Sequence, residues 1–285
     1  MRLTIFTRVI RGCTQLVVLC LLGACGGSGP FVLPPGLTVT EITPTSLPSY
    51  SRPVVVRIRG TDLDQGIRVD APGCATFVET DGSTSAERSY TCVVNVVGAL
   101  QFSVIDKTGT TLRSTTQQVP KPQVSVVTSL GSFVMELDPV AARVTVDNFL
   151  KYTATNFYTN LIFHRVIAGF VVQTGGYSSG LTVVAPTSPP IALESNNKLK
   201  NVTASVAMAR TNDPASASSQ FFINLADNPS LDYQSAASPG YAVFGKVVSG
   251  FEVVGLIGAV QTGTAGGLTD VPVSEVVMLS ATQTQ

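Results

Sequence analysis

The sequence predicts a mainly β protein in which a small β-sandwich precedes a closed antiparallel β-barrel with two capping helices. Apolar and polar residues alternate through much of residues 38 to 121 and again beyond 122, the period of half-buried strands. Gly, Pro, Asn and Asp interrupt these runs at short intervals, as turns between short strands require. Helical spacing occurs near Thr145 to Tyr152 and after Ser249. The strand-rich second half therefore has two helices left over, one for each end of a barrel.

The elements follow in order. Residues 1 to 25 read as an export segment, with Arg2, Arg8 and Arg11 at the positive end, Leu16 to Leu22 as the apolar run, and Gly23-Ala24 before Cys25. That run falls short of the roughly 20 residues a permanent membrane span needs. Residues 26 to 37, rich in Gly and Pro, read as a flexible tether. In the sandwich at 38 to 121, Val54, Val56 and Ile58 alternate with Val55, Arg57 and Arg59, and Leu100, Phe102 and Val104 with Gln101 and Ser103. Lys121-Pro122 marks the boundary to a second domain, residues 122 to 285. That domain opens with a hairpin, Val124 to Thr128 and Ser132 to Leu137 around Ser129-Leu130-Gly131. Its first helix takes Thr145 as N-cap and turns Val146, Phe149 and Leu150 inward. The second carries Phe251, Val253, Val254 and Ile257, and the run Val271 to Leu279 returns to the barrel.

Composition excludes some functions. With 285 residues, 44% of them hydrophobic, there is enough apolar side chain for two cores. Lys and Arg total 18 against 18 Asp and Glu, so no net field favours nucleic acid. Of five cysteines, Cys13 and Cys20 leave with the export segment. Cys74 and Cys92 either pair in an oxidising compartment or remain as buried thiols, and their spacing is no metal motif. No cofactor is implied. The one histidine, His164, cannot form a metal site by itself, and a lone histidine is more often packed than catalytic. Gly176-Tyr177-Ser178-Ser179-Gly180 matches a hydrolase pattern, but that chemistry needs a strand-turn-helix elbow. Glu194, Asp213 and Asp232 read as scattered turn or surface carboxylates.

Four blocks occur in order: Asn148-Phe149-Leu150 with Tyr158; Phe163 to Gly176; Ser205 to Thr211 with Ser219-Gln220-Phe221-Phe222-Ile223; and Tyr241 to Val247. Together they resemble the cyclophilin family of peptidyl-prolyl cis/trans isomerases. Met208-Ala209-Arg210-Thr211 and Tyr241-Ala242-Val243-Phe244-Gly245 look most like its bacterial periplasmic branch. The resemblance implies the cyclophilin barrel and proline-containing polypeptide clients. It assigns catalysis to Arg165 and Gln173, and substrate binding to His164, Phe170, Val171, Met208, Ala209, Arg210, Gln220, Phe222, Leu231 and Tyr241. Leu22-Gly23-Ala24-Cys25 resembles the bacterial lipobox, implying a lipid anchor at Cys25 and a cell-envelope protein facing the periplasm, with Gly26 compatible with the outer membrane. The stretch Ile42-Thr43-Pro44 through Val56 to Leu63 resembles the start of IPT/TIG immunoglobulin-like domains, implying a spacer or adhesion module with Cys74 and Cys92 as its staple.

These residue types suit the chemistry. An X-Pro amide rotates against about 18 to 20 kcal/mol because rotation breaks its resonance. The twisted nitrogen regains a lone pair, so a donor aimed there favours the transition state over the planar ground state. A guanidinium such as that of Arg165 stays charged and presents several N–H groups in a rigid fork. A binding module that grips proline-containing loops without turnover is the rival from another class.

The chain departs from the familiar eukaryotic pattern at three pocket positions. Val171 replaces a methionine, Arg210 an asparagine and Ser230 a tryptophan, and the chain has no tryptophan at all. Tyr241 stands where a histidine is common, as it does in the bacterial branch. Without that indole, cyclosporin loses a flat contact and a donor, so inhibition by the drug should be weak; a nanomolar inhibition constant would contradict this.

Overall fold

The period-two pattern of the first half becomes seven strands: β1 (Thr38–Pro44), β2 (Pro53–Thr61), β3 (Ile67–Asp70), β4 (Cys74–Glu79), β5 (Glu87–Val94), β6 (Gly98–Asp106) and β7 (Thr111–Val119). They form two antiparallel sheets, ordered β1-β2-β5-β4 and β3-β6-β7. A computed structural model describes residues 36–285; the expected export segment, Cys25 and nearly all of the expected tether lie outside the described residues. Val54, Val56 and Ile58 of β2 join Leu100, Phe102 and Val104 of β6 in the core. Between them Arg57 and Arg59 point outward to Glu87 on β5, as strand alternation dictates. Cys74 and Cys92 form a disulfide across the neighbouring strands β4 and β5. A loop of this length stabilises by about 3 kcal/mol in the chain-entropy model.

The second half adds β8 (Gln123–Thr128), β9 (Gly131–Leu137), α1 (Arg143–Ala154), β10 (Leu161–Ile162), β11 (Arg165–Ile167), β12 (Val171–Thr174), β13 (Tyr177–Ser178) and β14 (Thr182–Val183). After these come β15 (Ser205–Met208), β16 (Phe221–Asn224), β17 (Val243–Ser249), α2 (Phe251–Gly258), the hairpin of β18 (Thr262–Ala265) and β19 (Leu268–Pro272), and β20 (Val277–Gln283). Eleven of these strands make one curled sheet, ordered β11-β12-β16-β15-β17-β9-β8-β20-β10-β13-β14. The expected closed barrel is corrected here: no ladder joins β11 to the far edge. The chain passes from the interior strand β10 to the edge strand β11 through Phe163 and His164, which lie outside every strand, and the Phe163 N–H donates to Val276 O instead. The run Val271 to Leu279 is likewise two elements, ending β19 at Pro272 and resuming as β20 at Val277.

Helix α1 buries Val146, Phe149 and Leu150, and Phe149 meets Phe221 edge-on, with centroids 5.3 Å apart, and lies near Phe244 and Tyr158. Helix α2 buries Val254 and Ile257. Among the described residues no helix is long and apolar enough to cross a membrane. Residues 36–285 are one compact unit. The two halves meet where Tyr50 O–H donates to Asp147 Oδ1 of α1 at 2.7 Å and Gln283 Nε2 donates to Tyr50 O at 2.8 Å. Burial first, then the Asp147 carboxylate, pushes the Tyr50 phenol above its ordinary range, so it remains a donor.

Thr145 is not the N-cap of α1: the helix begins two residues earlier and Thr145 lies inside it, buried. The cap comes from Glu194, distant in sequence, whose carboxylate accepts from the Val144 and Thr145 N–H groups and from Thr145 Oγ1. An anion here also faces the positive end of the helix. Glu194→Ala should therefore lower stability by about 1–2 kcal/mol in urea denaturation; an unchanged midpoint would show that solvent caps the helix equally well.

Candidate active site

Register builds the site. Arg165 on β11 pairs with Gln173 on β12, Gln173 with Phe222 on β16, Phe222 with Ala207 on β15, and Ala207 with Val243 on β17. Residues directly opposite on successive strands share one face, so a cation, an amide, an aromatic ring and two small apolar side chains lie in a single row. Val171 and Gln220, each two residues from a member of that row, lean to the same face. Alternation also separates the neighbours Phe221 and Phe222. Phe221 enters the core against Phe149 and Tyr158, whereas Phe222 joins Val171, Ala207 and Val243 in a second apolar cluster.

A cavity of about 400 Å³ opens on this row, lined by Arg165, Phe170, Val171, Gln173, Ala209, Arg210, Phe222, Leu231 and Tyr241. Tyr241 meets the Phe222 ring edge-on at 5.5 Å. Arg210 lies over the Tyr241 ring at 4.7 Å, its Nε donating to Gly240 O and its Nη1 to Thr211 O. That cation is committed to its own loop. Arg165 is differently placed, with a side chain 39% exposed and its Nε 3.9 Å from Asp270 Oδ2. So long and open a pair leaves the guanidinium accessible to a ligand.

Gln173 Nε2 donates to Gln220 Oε1 at 3.0 Å, which leaves the Gln173 carbonyl oxygen and one amide hydrogen for other partners. Two glycines admit the Ser219–Gln220 segment, Gly175 its backbone and Gly176 the Gln220 side chain. Gly175 has φ +94, and a Cβ on Gly176 would lie 2.5 Å from Gln220 Nε2. The segment before Gln220 is pinned from below, since Asn148 Nδ2 of α1 donates to Ser218 O and Tyr158 O–H to Ser219 O.

His164 lies beside this cavity. It lines an adjoining hollow with Arg165, Gln173, Tyr177 and Gln220, and its ring is tilted against Tyr177 at 4.6 Å. Burial, with a smaller contribution from the Arg165 charge, pushes its pKa down from 6.5 to about 4, against the opposing effect of hydrogen bonds. The imidazole is therefore neutral at physiological pH.

Met208 is the expected site residue that falls elsewhere. Its side chain belongs to the main core, because Ala207, one position earlier, holds the outward place opposite Phe222. Ala207 and Val243 were missed, although counting back two residues from Ala209 along a strand points to Ala207. A buried polar network was missed as well. Asn228 Nδ2 donates to Phe170 O and Asn224 Oδ1, Asn224 Nδ2 to Asn201 Oδ1, and Asn201 Nδ2 to Leu231 O. The Asn201 N–H donates to Asp232 Oδ1, so Asp232 is a buried brace and not a surface carboxylate. The network fixes the backbone of Phe170 and Leu231 on two sides of the cavity. The hydrolase-like pattern has no elbow, since Tyr177-Ser178 is a two-residue strand running into a single turn of 3₁₀ helix. Among the described residues no three His, Cys, Asp or Glu side chains gather as metal ligands.

Residues 123–283 match the family of cyclophilin type peptidyl-prolyl cis-trans isomerases. The chain is 48% identical over 158 residues to peptidyl-prolyl cis-trans isomerase A of Dickeya dadantii, covering 55% of this chain and 82% of that protein. To peptidyl-prolyl cis-trans isomerase B of Escherichia coli it is 46% identical over 157 residues, covering 54% and 95%. Among solved structures, a cyclophilin type peptidyl-prolyl cis-trans isomerase of Cryptosporidium parvum, crystallised in the presence of the dipeptide ala-pro, superposes with a TM-score of 0.50 at 25% identity. That match covers 57% of this chain and 99% of the other.

Because His164 holds a proton less readily when folded, its contribution to stability is fully present above about pH 6.5 and declines as pH falls towards 4. His164→Gln should lose less stability than the parent chain across that interval; parallel curves from urea denaturation would rule the effect out.

Proposed function

Since the chain belongs to the cyclophilin-type peptidyl-prolyl cis-trans isomerases, we propose that it isomerises X-Pro bonds of exported polypeptides, using Arg165 as donor beside an apolar hollow centred on Phe222. The observation that carries this is the unbroken row from Arg165 through Gln173 to Phe222, with the guanidinium exposed at its end.

In this mechanism the proline ring enters the cavity against Phe222, Val171, Phe170 and Leu231, where burial of an apolar ring supplies binding. Holding the ring while the preceding carbonyl swings turns the isomerisation into a guided rotation about one bond. An Arg165 N–H meets the nitrogen as it becomes pyramidal, an interaction absent in the planar amide, and therefore lowers the barrier. Gln173, oriented by Gln220, takes a carbonyl of the client. The backbone around Ala209 and Arg210 lies alongside the extended peptide. No covalent intermediate and no cofactor take part.

The same proposal covers the rest of the chain. Residues 38–121 act as an immunoglobulin-like spacer, a reading supported by strand orders β1-β2-β5-β4 and β3-β6-β7, which correspond to the ABED and CFG sheets of that architecture. Cys25 carries the lipid anchor, and the isomerase domain, residues 122–285, works on the periplasmic face of the envelope, at the outer membrane. The supports for this are the export-type leader in the sequence and a disulfide suited to an oxidising compartment.

Arg165→Ala should reduce kcat/KM for a proline-containing tetrapeptide by at least about a hundredfold, with the circular dichroism spectrum and melting curve retained. Unchanged turnover in the variant would remove Arg165 from the chemistry.

A further inference from the structure

The proline cavity does not end at Arg165 and Gln173. Both residues also line the adjoining hollow of about 370 Å³ that holds His164. That hollow in turn shares Tyr177 and Leu268 with a third cavity of about 570 Å³, which lies between the β13–β14 segment and the β18–β19 hairpin. Shared lining residues place the three spaces side by side across the face of the domain.

Aliphatic side chains stand on both sides of the far cavity, among polar backbone. Leu181 and Val183 line it from one segment, Leu268 and Val271 from the hairpin, with Val273 just beyond. Val183 is 70% and Val273 66% exposed, unusual for valines close to a concave surface and unexplained by the core. The walls are tied together, since the Gly180 N–H donates to Glu275 Oε1 at 2.7 Å. Leu181 adopts φ +55, a strained conformation for a bulky residue, of a kind that persists where the surroundings impose it. The hairpin tip presses on the same residue, because a Cβ on Gly266 would lie 2.9 Å from Leu181 Cδ1. Glu275 is the one charged residue in the lining, so the cavity offers no cation to an acidic side chain.

We propose that this third cavity is an extended client subsite, which takes an apolar side chain of the same polypeptide a few residues to one side of the isomerised proline. The inference rests on the Arg165-centred site described above. An extended segment with its proline in the first cavity runs past the second, and an aliphatic residue then covers the exposed valines. The enzyme thereby favours client segments that pair a proline with a nearby aliphatic residue, as unfolded stretches of apolar β-strand do.

The test compares a blocked tetrapeptide containing an Ala-Pro bond with longer peptides in a glycine background, in which each of the flanking positions in turn is Leu or Asp. Exchange spectroscopy gives kcat/KM for the full-length protein and for the double variant Val183→Asp, Val273→Asp, whose exposed positions should leave the fold intact. Leu at a position on one flank should raise kcat/KM by roughly tenfold, and Asp there should give no gain. The double variant should lose that gain while turning over the tetrapeptide at the parent rate. A gain that survives in the double variant, or no gain at any position, overturns the inference while the tetrapeptide rate upholds the active site. Failure to turn over the tetrapeptide at all sinks the Arg165 reading, and the subsite with it.

Discussion

The face on which the site is built depends on a single constraint, the register of β11, β12, β16, β15 and β17. A slip of one residue in any of these ladders would exchange inward and outward side chains. Phe222 would then enter the core and Phe221 the cavity. The register is held from the inside, where Phe221 packs edge-on against Phe149 and Tyr158. The buried aromatic core thus does more than stabilise: it determines which side chains reach the outer face.

Positioning within the row depends on hydrogen bonds from distant segments. Asn148 and Tyr158 hold the carbonyls of Ser218 and Ser219, and so set the strand start from which Gln220 reaches Gln173. The network of Asn201, Asn224, Asn228 and Asp232 performs the same service for Phe170 and Leu231. Buried amides are costly unless satisfied, and here they bond one another and the cavity backbone. A hollow that has to grip a rigid ring while a bond turns is thereby preorganised.

The two arginines at the cavity show how environment separates like residues. Arg210 is occupied by two carbonyls and an aromatic ring, which suits it to shaping a wall. Arg165 keeps a long, exposed pairing with Asp270 and so retains donors for a client. His164, held neutral by burial, adds no competing charge beside Arg165. The N-terminal sandwich, joined through Tyr50 and Gln283, is docked against α1 and β20 and not merely tethered.

Local pattern was legible wherever it depended on strand alternation. The hairpin of β8 and β9, the opposite fates of Phe221 and Phe222, and the outward Arg57 and Arg59 follow from residue order, because side chains on a strand alternate whatever surrounds them. The four ordered blocks contain most of the residues that line the cavity, with Leu231 outside them, whereas Met208, named from the family resemblance, turns its side chain into the core. Sequence did not reveal that the sheet stays open at Phe163 and His164, that Glu194 caps α1 across some fifty residues, or that Asp232 is buried. Each is decided by groups remote in the chain that meet only after folding. What the sequence alone determined was therefore the set of strands and the chemistry they carry; which of those side chains meet, and which remain free, was decided by tertiary packing, because register and burial are properties of neighbours that no local window contains.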